Sequence, residues 1–129
     1  MSGRPYTTPP KPELRVLLLE NIHDSAVDLF DAEGFQVERI KSALPEAELR
    51  KRLAGVHVLG IRSKSQITDG ILAEARSLLT LGCFCIGTNQ VDLSAAMARG
   101  IPVFNAPFSN TRSVAEMIIG EIIVLARQL

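Results

Sequence analysis

The chain has 129 residues, of which 47% are hydrophobic, and it carries 14 basic and 14 acidic side chains. This length suits a single domain that buries a hydrophobic core. The zero formal net charge excludes a long-range electrostatic attraction to nucleic acid or to an anionic membrane surface, so recognition must depend on local groups.

The amino-terminal stretch, residues 1–13, is predicted to be a disordered tail. It is rich in proline, threonine and serine, and it lacks the apolar core of a secretory signal peptide. No apolar stretch reaches the roughly 18 residues that a membrane-spanning helix needs. The nearest candidate, close to the carboxyl end, is interrupted by Glu116, Gly120 and Glu121. We therefore expect a soluble protein with no membrane partner.

Cys83 and Cys85 are the only cysteines. Two positions apart on a strand, they would point to the same side, and the pair is too local to form a stapling disulfide framework. No further cluster of cysteine and histidine completes a metal site. We interpret both as small buried hydrophobic residues in a reducing, cytoplasmic protein.

After the tail, strand and helix patterns alternate along the chain. Short apolar runs predict five strands, at residues 15–20, 36–40, 56–61, 78–84 and 101–104. The first helix has apolar residues recurring from Ala26 to Phe35 with Gly34 as its stop, and further helices are predicted at 45–53, at 68–75 with Thr68 or Asp69 as cap, and at 92–100. Pro102 places the fifth strand at an edge, or the proline near the strand's start.

Alternation of this kind predicts parallel strands joined by right-handed crossovers. The expected fold is α/β, an open parallel sheet of about five strands with helices on both faces, flavodoxin-like or Rossmann-like. We place the lobe proper at residues 14–112.

The last segment, residues 113–129, is predicted to be a helix. Ser113 and Glu116 have the spacing of a capping box, in which each side chain accepts from the other's backbone amide. The apolar residues that follow cover more than one stripe of the helix, which indicates burial on several sides. Since no cap or turn follows, we expect that the sequence is interrupted within this helix. The alternative is a terminal helix that dimerises or packs across the sheet.

Ligands of open α/β sheets bind beyond the carboxyl ends of the strands, so the residues that follow each strand are the candidate site. Three basic side chains follow the second and third strands: Lys41, Arg62 and Lys64. A guanidinium can bind a carboxylate or phosphate through two parallel hydrogen bonds, and lysines add mobile positive charge. A small anionic ligand is therefore predicted, although either lysine alone is more typical of a solvated surface charge.

The loop after the fourth strand contains Gly87, where the backbone can approach a ligand and amides can bind an oxyanion. A tight turn would explain the same glycine. Nothing in the chain matches the G-x-G-x-x-G fingerprint that cradles a dinucleotide. His23 and His57 are placed at the start of the first helix and within the third strand, and neither is predicted to be a catalytic base.

At these positions the sequence resembles a known family. Residues 82–92 and 100–116, together with Gly60 to Lys64, closely resemble the amino-terminal region of the bacterial D-3-phosphoglycerate dehydrogenase branch of the D-isomer-specific 2-hydroxyacid dehydrogenases. The resemblance extends from about Leu14 to Leu129, and it implies that residues 113–129 are the start of the helix that leads into the family's cofactor lobe, which is missing from this sequence. Where many relatives have a G-x-G pair, this chain has Cys85-Ile86-Gly87.

The resemblance implies an NAD-dependent enzyme that oxidises D-3-phosphoglycerate to 3-phosphohydroxypyruvate in serine biosynthesis, a homo-oligomer when full length. It implies that Lys41, Arg62 and Lys64 hold phosphate and carboxylate groups. It also implies cleft positions facing the substrate and the nicotinamide: Ser63, the amides near Ile86 and Gly87, and Asn110. The family's catalytic arginine, glutamate and histidine have no counterpart in these 129 residues. We therefore expect no catalytic residue and no metal site here, and an inactive lobe.

Two other functions remain open. One is a free-standing anion-binding module that dimerises through its last helix. The other is a receiver-like signalling domain, which shares the architecture but needs clustered acids at the strand ends. Here the first strand ends in Glu20-Asn21 and the third leads into Arg62-Ser63, which argues against an aspartyl acceptor with a magnesium pocket.

Overall fold

The structure is a computed structural model, and it describes residues 10–127. The strands are β1 (Arg15–Leu18), β2 (Gln36–Arg39), β3 (Val58–Ile61), β4 (Thr80–Cys83) and β5 (Val103–Asn105). The helices are α1 (Asp24–Ala32), α2 (Glu46–Arg52), α3 (Asp69–Glu74), α4 (Leu93–Ala98) and α5 (Thr111–Ala126). The predicted alternation is confirmed. The strands are shorter than the apolar runs that predicted them, because apolar residues indicate burial and not hydrogen bonding between strands. Leu19, for example, is fully buried although it lies beyond the end of β1.

All five strands are parallel and follow the order β2-β1-β3-β4-β5. This order confirms the predicted α/β class. The strand β5 lies at one edge, and Pro102 directly precedes it, so both predictions for the proline hold. The chain crosses the sheet in one direction from β1 to β2 and in the opposite direction from β2 to β3, so the strand order switches between β1 and β3 and leaves a crevice between the loops that follow these two strands.

Helices cover both faces of the sheet. Alternation along β1 sends Leu17 and Leu19 into the larger core, which α2, α3 and α4 cover. Val16 and Leu18 enter the smaller core, which α1 covers. Burial of one such side chain stabilises the fold by about 1.5–3 kcal/mol, so these two layers hold the strand ends in place.

The predicted helix caps at Thr68 and Asp92 are confirmed. Thr68 accepts from the amide of Ile71, and Asp92 accepts from the amide of Ala95 at 2.9 Å. Gly34 has a φ of 84° just after α1, a left-handed conformation that favours glycine, so it ends the helix as predicted.

The capping box predicted at Ser113 is wrong. Helix α5 begins at Thr111, so Ser113 already lies inside its first turn, and Asn110 occupies the N-cap position without a side-chain hydrogen bond. Glu116 instead accepts from Arg112 Nε at 2.7 Å, one helical turn away. The boundary we predicted at residue 113 therefore falls within a helix.

Helix α5 has no buried residue and does not pack across the sheet. Its large apolar side chains are 38–77% exposed: Val114, Met117, Ile118, Ile119, Ile122, Ile123, Val124 and Leu125. No helix within residues 10–127 combines the length and the apolar character that a bilayer crossing needs.

The predicted tail lies mostly outside the described residues, because the description begins at Pro10. Its last part, Lys11–Glu13, forms a short 3-10 helix. Gln36 Nε2 donates to the carbonyl of Pro12 at 2.6 Å, and Lys11 pairs with Glu33. Residues 11–13 are therefore ordered against the lobe. The prediction of disorder for residues 1–9 stays a prediction.

Candidate functional site

Four of the predicted site residues line one groove at the carboxyl edge of the sheet. Lys41 follows β2, and Arg62, Ser63 and Lys64 follow β3. The groove has a volume of about 610 Å³. We call it the cationic groove, and its lining is Glu20, Asn21, Lys41, Ser42, Ala43, Arg62, Ser63 and Lys64.

The three cations of the groove are exposed and have no acidic partner. Within residues 10–127, no ion pair shorter than 4.0 Å includes Lys41, Arg62 or Lys64. By contrast, Arg50 pairs with both Glu46 and Glu74. Unpaired cations at a shared concave surface attract an anion, and Arg62 can bind a carboxylate or phosphate with two parallel hydrogen bonds.

Glu20 is the only acidic residue among those that line the cationic groove, and its carboxylate accepts hydrogen bonds from backbone amides. The side chain is buried, and Oε1 accepts from the amides of Arg62 at 3.2 Å and Ser65 at 2.8 Å. Oε2 accepts from the amide of Lys64 at 2.9 Å. A carboxylate that accepts three amide hydrogens has little capacity left for a cation, which is why the neighbouring cations remain free.

The hydrogen bonds also set the protonation of Glu20. Burial alone would raise the pKa of this carboxyl, but the amides of Lys64, Ser65 and Arg62 outweigh burial and hold the pKa below its usual value. The Ser65 hydroxyl adds to the lowering, although its buried oxygen has no hydrogen-bond partner of normal geometry among residues 10–127. Glu20 is thus charged at neutral pH.

The backbone at Glu20 positions the loop after β2, which carries Lys41. Glu20 and Asn21 both have a left-handed φ, of 60° and 54°. In this conformation the amide of Glu20 donates to the carbonyl of Ser42 at 3.2 Å, and that of Asn21 donates to the carbonyl of Ile40 at 3.3 Å. These bonds flank Lys41 and hold its loop against the end of β1.

Gln90 joins the loops after β3 and β4. Its buried Nε2 donates to the carbonyl of Arg62 at 2.8 Å and to that of Gly87 at 3.2 Å. It also lies 3.2 Å from Cys85 Sγ. We did not predict this role from the sequence, and a polar residue directly before the buried Val91 was the only signal for it.

Ile86 and Gly87 lie on the loop after β4. Both are exposed, and neither is among the residues that line the cationic groove. Within residues 10–127 their amides donate to no carbonyl or side chain. Gly87 does not need a left-handed backbone. A Cβ there would meet only the side chain of Asn89, with Oδ1 at 2.7 Å, and the end of that exposed side chain can shift aside, so no fixed contact requires the glycine.

The loop after β5 brings Asn105 to the same edge, where its Nδ2 donates to the carbonyl of Ile86 at 2.8 Å. The amide of Ala106 donates to the carbonyl of Cys85 at 3.0 Å. Asn110 ends this loop as the exposed N-cap of α5 and lies outside the cationic groove. Its predicted role therefore remains a prediction.

A smaller groove of about 360 Å³ adjoins the cationic groove. Its lining is Asn21, Ile22, His23, Arg62 and Phe84. The two grooves share Asn21 and Arg62, so the guanidinium stands where a polar and a partly apolar surface meet.

Both histidines have structural roles. His23 is the N-cap of α1, and its Nδ1 accepts from the amide of Ser25 at 3.1 Å. His57 precedes β3 by one residue rather than lying within it, because its Nδ1 accepts from the amide of Arg15 at 3.1 Å and its own amide donates to the carbonyl of Arg15. Residues 10–127 contain no cluster of three His, Cys, Asp or Glu side chains that could hold a metal.

Comparison with known proteins identifies similar sequences and folds. The family described as "D-isomer specific 2-hydroxyacid dehydrogenase, catalytic domain" matches residues 16–118. D-3-phosphoglycerate dehydrogenase of Dictyostelium discoideum is 58% identical over 97% of this chain and 31% of its own length. D-3-phosphoglycerate dehydrogenase 1 of Saccharomyces cerevisiae is 54% identical over 98% of this chain and 26% of its own length. The Escherichia coli K12 enzyme is 48% identical over 91% of this chain and 29% of its own length. The resemblance is therefore not confined to bacterial enzymes.

Solved structures show the same fold. The TT0316 protein of Thermus thermophilus has a TM-score of 0.83 and 31% identity over 89% of this chain and 37% of its own. NAD+-bound 3-phosphoglycerate dehydrogenase of Entamoeba histolytica has a TM-score of 0.75 and 20% identity over 87% of this chain and 39% of its own, a likeness of fold alone. The chain spans 26–31% of the length of the three curated relatives named above.

Proposed function

Because the chain belongs to the D-isomer-specific 2-hydroxyacid dehydrogenase family, we propose that it is the substrate-binding lobe of a D-3-phosphoglycerate dehydrogenase. The proposed reaction is the NAD-dependent oxidation of D-3-phosphoglycerate to 3-phosphohydroxypyruvate, a step of serine biosynthesis. The proposal includes a cytoplasmic location and a homo-oligomeric full-length enzyme.

The observation that carries the proposal is the cluster of three unpaired cations in one groove. D-3-phosphoglycerate has a phosphate at one end and a carboxylate at the other, so it needs positive charge at two points. Arg62 fits the group that requires two parallel hydrogen bonds, and Lys41 and Lys64 supply charge for the other. Ser63 adds a hydroxyl to the same groove.

The amides of Ile86 and Gly87 support a second contact region. They have no acceptor within residues 10–127 and stand on the loop that Gln90 fastens to Arg62. We propose that they bind an oxygen of the 2-hydroxyacid moiety, next to the groove that takes the phosphate. Asn110 is proposed to face the nicotinamide from the end of the neighbouring loop.

The residues of this chain do not fit the diphosphate of NAD. None of the five strands is followed by G-x-G-x-x-G and a helix, the arrangement that cradles a dinucleotide. NAD would accept the hydride, but no residue described above holds it. The part of the reaction assigned to this lobe is binding, orientation and charge neutralisation of the substrate.

The test is an NMR titration of the isotopically labelled chain with D-3-phosphoglycerate, D-glycerate and inorganic phosphate. We expect shifts at the amides of Arg62, Lys64 and Gly87, and the tightest binding for D-3-phosphoglycerate because only this ligand offers both anionic groups. Equal affinity for all three ligands, or shifts confined to other surfaces, would contradict the proposed substrate.

A further inference from the structure

We propose that Glu20 is a positioning residue of the cationic groove: its main chain holds the Lys41 loop and its carboxylate holds the loop from Arg62 to Ser65. The inference rests on the proposed function, since it states how that function's groove keeps its charges together. Glu20 itself is buried and does not have to touch the ligand.

The first argument is that Glu20 connects two loops that share no strand contact. The strands β2 and β3 lie on opposite sides of β1, so the loops that follow them meet only above the end of β1. Glu20 stands at that point. Its amide donates to the Ser42 carbonyl on one side, and its carboxylate accepts from three amides on the other.

The second argument concerns backbone strain. A left-handed φ is strained for a residue with a Cβ, and such residues cluster at functional sites. Two consecutive non-glycine residues adopt it here, Glu20 and Asn21. This conformation is what aims the Glu20 amide at one loop while its side chain reaches the other, so the strain has an identifiable result.

The third argument concerns charge. A carboxylate beside three cations would ordinarily pair with one of them and remove it from ligand binding. The Glu20 oxygens instead accept from three backbone amides, and no ion pair within 4.0 Å joins Glu20 to any cation of the described chain. Glu20 therefore fixes the loop that carries Arg62 and Lys64 without neutralising either side chain.

The variant that tests the inference is Glu20→Gln, which keeps the shape of the side chain. A glutamine has one acceptor oxygen and one NH2 group, so in either orientation an N–H group faces at least one of the three backbone N–H donors. Glu20→Asp retains the acceptor oxygens on a shorter side chain. Glu38→Gln is the matched control, because Glu38 is a half-buried acid on β2 that pairs with Arg52 outside the groove.

The measurements are the affinity for D-3-phosphoglycerate by NMR titration and the free energy of unfolding in urea. We expect Glu20→Gln to bind about tenfold more weakly, the effect of losing one charge-assisted hydrogen bond, at ligand concentrations and temperatures where the variant is fully folded. Glu20→Asp should retain more affinity than Glu20→Gln, and Glu38→Gln should match the wild type. A purely structural role would lower the unfolding free energy and leave the affinity of the folded protein unchanged.

Unchanged affinity in folded Glu20→Gln would overturn the inference. If the wild type binds inorganic phosphate in the groove but does not prefer D-3-phosphoglycerate, the proposed substrate is wrong, and the same comparison made with phosphate decides the role of Glu20. If the wild type binds neither anion, both proposals fail. Should Glu20→Gln not fold, Glu20→Asp decides: wild-type affinity in that variant, although the amide resonances of Arg62, Lys64 and Ser65 have shifted because their bonds to the carboxylate are altered, would contradict the positioning role.

Discussion

The side-chain Nε2 of Gln90 lies 2.8 Å from the carbonyl oxygen of Arg62, so one buried amide group fastens the loop that bears the key guanidinium to the loop after β4. This side-chain bond adds to the backbone bonds by which Ile67 already joins the two loops, donating to the carbonyl of Gln90 at 2.8 Å and accepting from the amide of Asp92 at 2.9 Å. Their geometry depends on a residue that no ligand has to contact.

Replacement of Gln90 should loosen this connection. Gln90→Met keeps a similar volume but removes the donor, which leaves the carbonyl of Arg62 without this partner and that of Gly87 with only the Cys85 thiol. We expect the free energy of unfolding to fall by about 1–3 kcal/mol, the cost of unsatisfied buried polar groups. Urea denaturation measures this. Gln66→Met, at an exposed position, is the control, and equal stability of both variants would contradict the assigned role.

Arg62→Ala should weaken the binding of D-3-phosphoglycerate by roughly 1.5–3 kcal/mol, the contribution of a charge-assisted hydrogen bond. Arg62→Lys should lie between this variant and the wild type, because lysine keeps the charge but not the planar fork. Calorimetric or NMR titration gives the affinities. Arg76→Ala removes an exposed arginine between α3 and β4, at the opposite edge of the sheet, and should bind normally. A similar loss in both alanine variants would show that only net charge matters.

The lowered pKa of Glu20 predicts a specific dependence of stability on pH. Because the pKa is depressed in the folded state, the charged carboxylate stabilises the fold above its usual pKa of 4.5, and this contribution is lost as the pH falls through the folded-state value. The difference in unfolding free energy between the wild type and Glu20→Gln should therefore shrink on acidification. Urea titrations at neutral and acidic pH test this, and a constant difference would be inconsistent with the lowered pKa.

The two cysteines should differ in reactivity. Burial raises the pKa of the Cys83 thiol to about 11, with smaller contributions from Cys85 and Glu20. Cys83 therefore has almost no thiolate at neutral pH, while Cys85 is only half-buried. We expect iodoacetamide to label Cys85 in the folded chain and Cys83 only after denaturation, as peptide mass mapping would show. Rapid labelling of Cys83 in a folded Cys85→Ser variant would contradict this.

The 129-residue chain should not oxidise D-3-phosphoglycerate with NAD. It lacks a dinucleotide cradle, so the hydride acceptor cannot be held next to the substrate. The assay follows NADH absorbance with a full-length relative as the positive control. Turnover above the level of a blank would contradict the inference that the residues of this chain do not hold NAD.

The sequence predicted the sheet and its loops well, because alternating apolar runs and cap residues such as Thr68 and Asp92 act locally. The sequence also predicted that Lys41 and Arg62 lie in one groove, as they do, since the carboxyl ends of parallel strands share one edge of the sheet. The capping box at Ser113 was wrong because the same spacing occurs inside a helix, where Arg112 already binds Glu116.

The supporting residues could not be predicted. Glu20 stood out only as an acid unsuited to a phosphorylation site, and Gln90 did not stand out at all. The side chains of Glu20 and Gln90 both bond to backbone groups of Arg62, which is 42 positions from Glu20 and 28 positions from Gln90. Such bonds follow from the packed fold and leave no local pattern.

The switch of strand order between β1 and β3 has a consequence for how this surface can change. The crevice between the loops of β1 and β3 is produced by chain topology and by the buried groups of Glu20 and Gln90, whereas Lys41, Arg62, Ser63 and Lys64 are exposed side chains that support no part of the core. Exchange of those four side chains should therefore retune ligand preference at little expense in folding. The fold and the ligand selectivity thus depend on different residues. We expect a library randomised at these four positions to yield variants that bind other acids and keep the same fold.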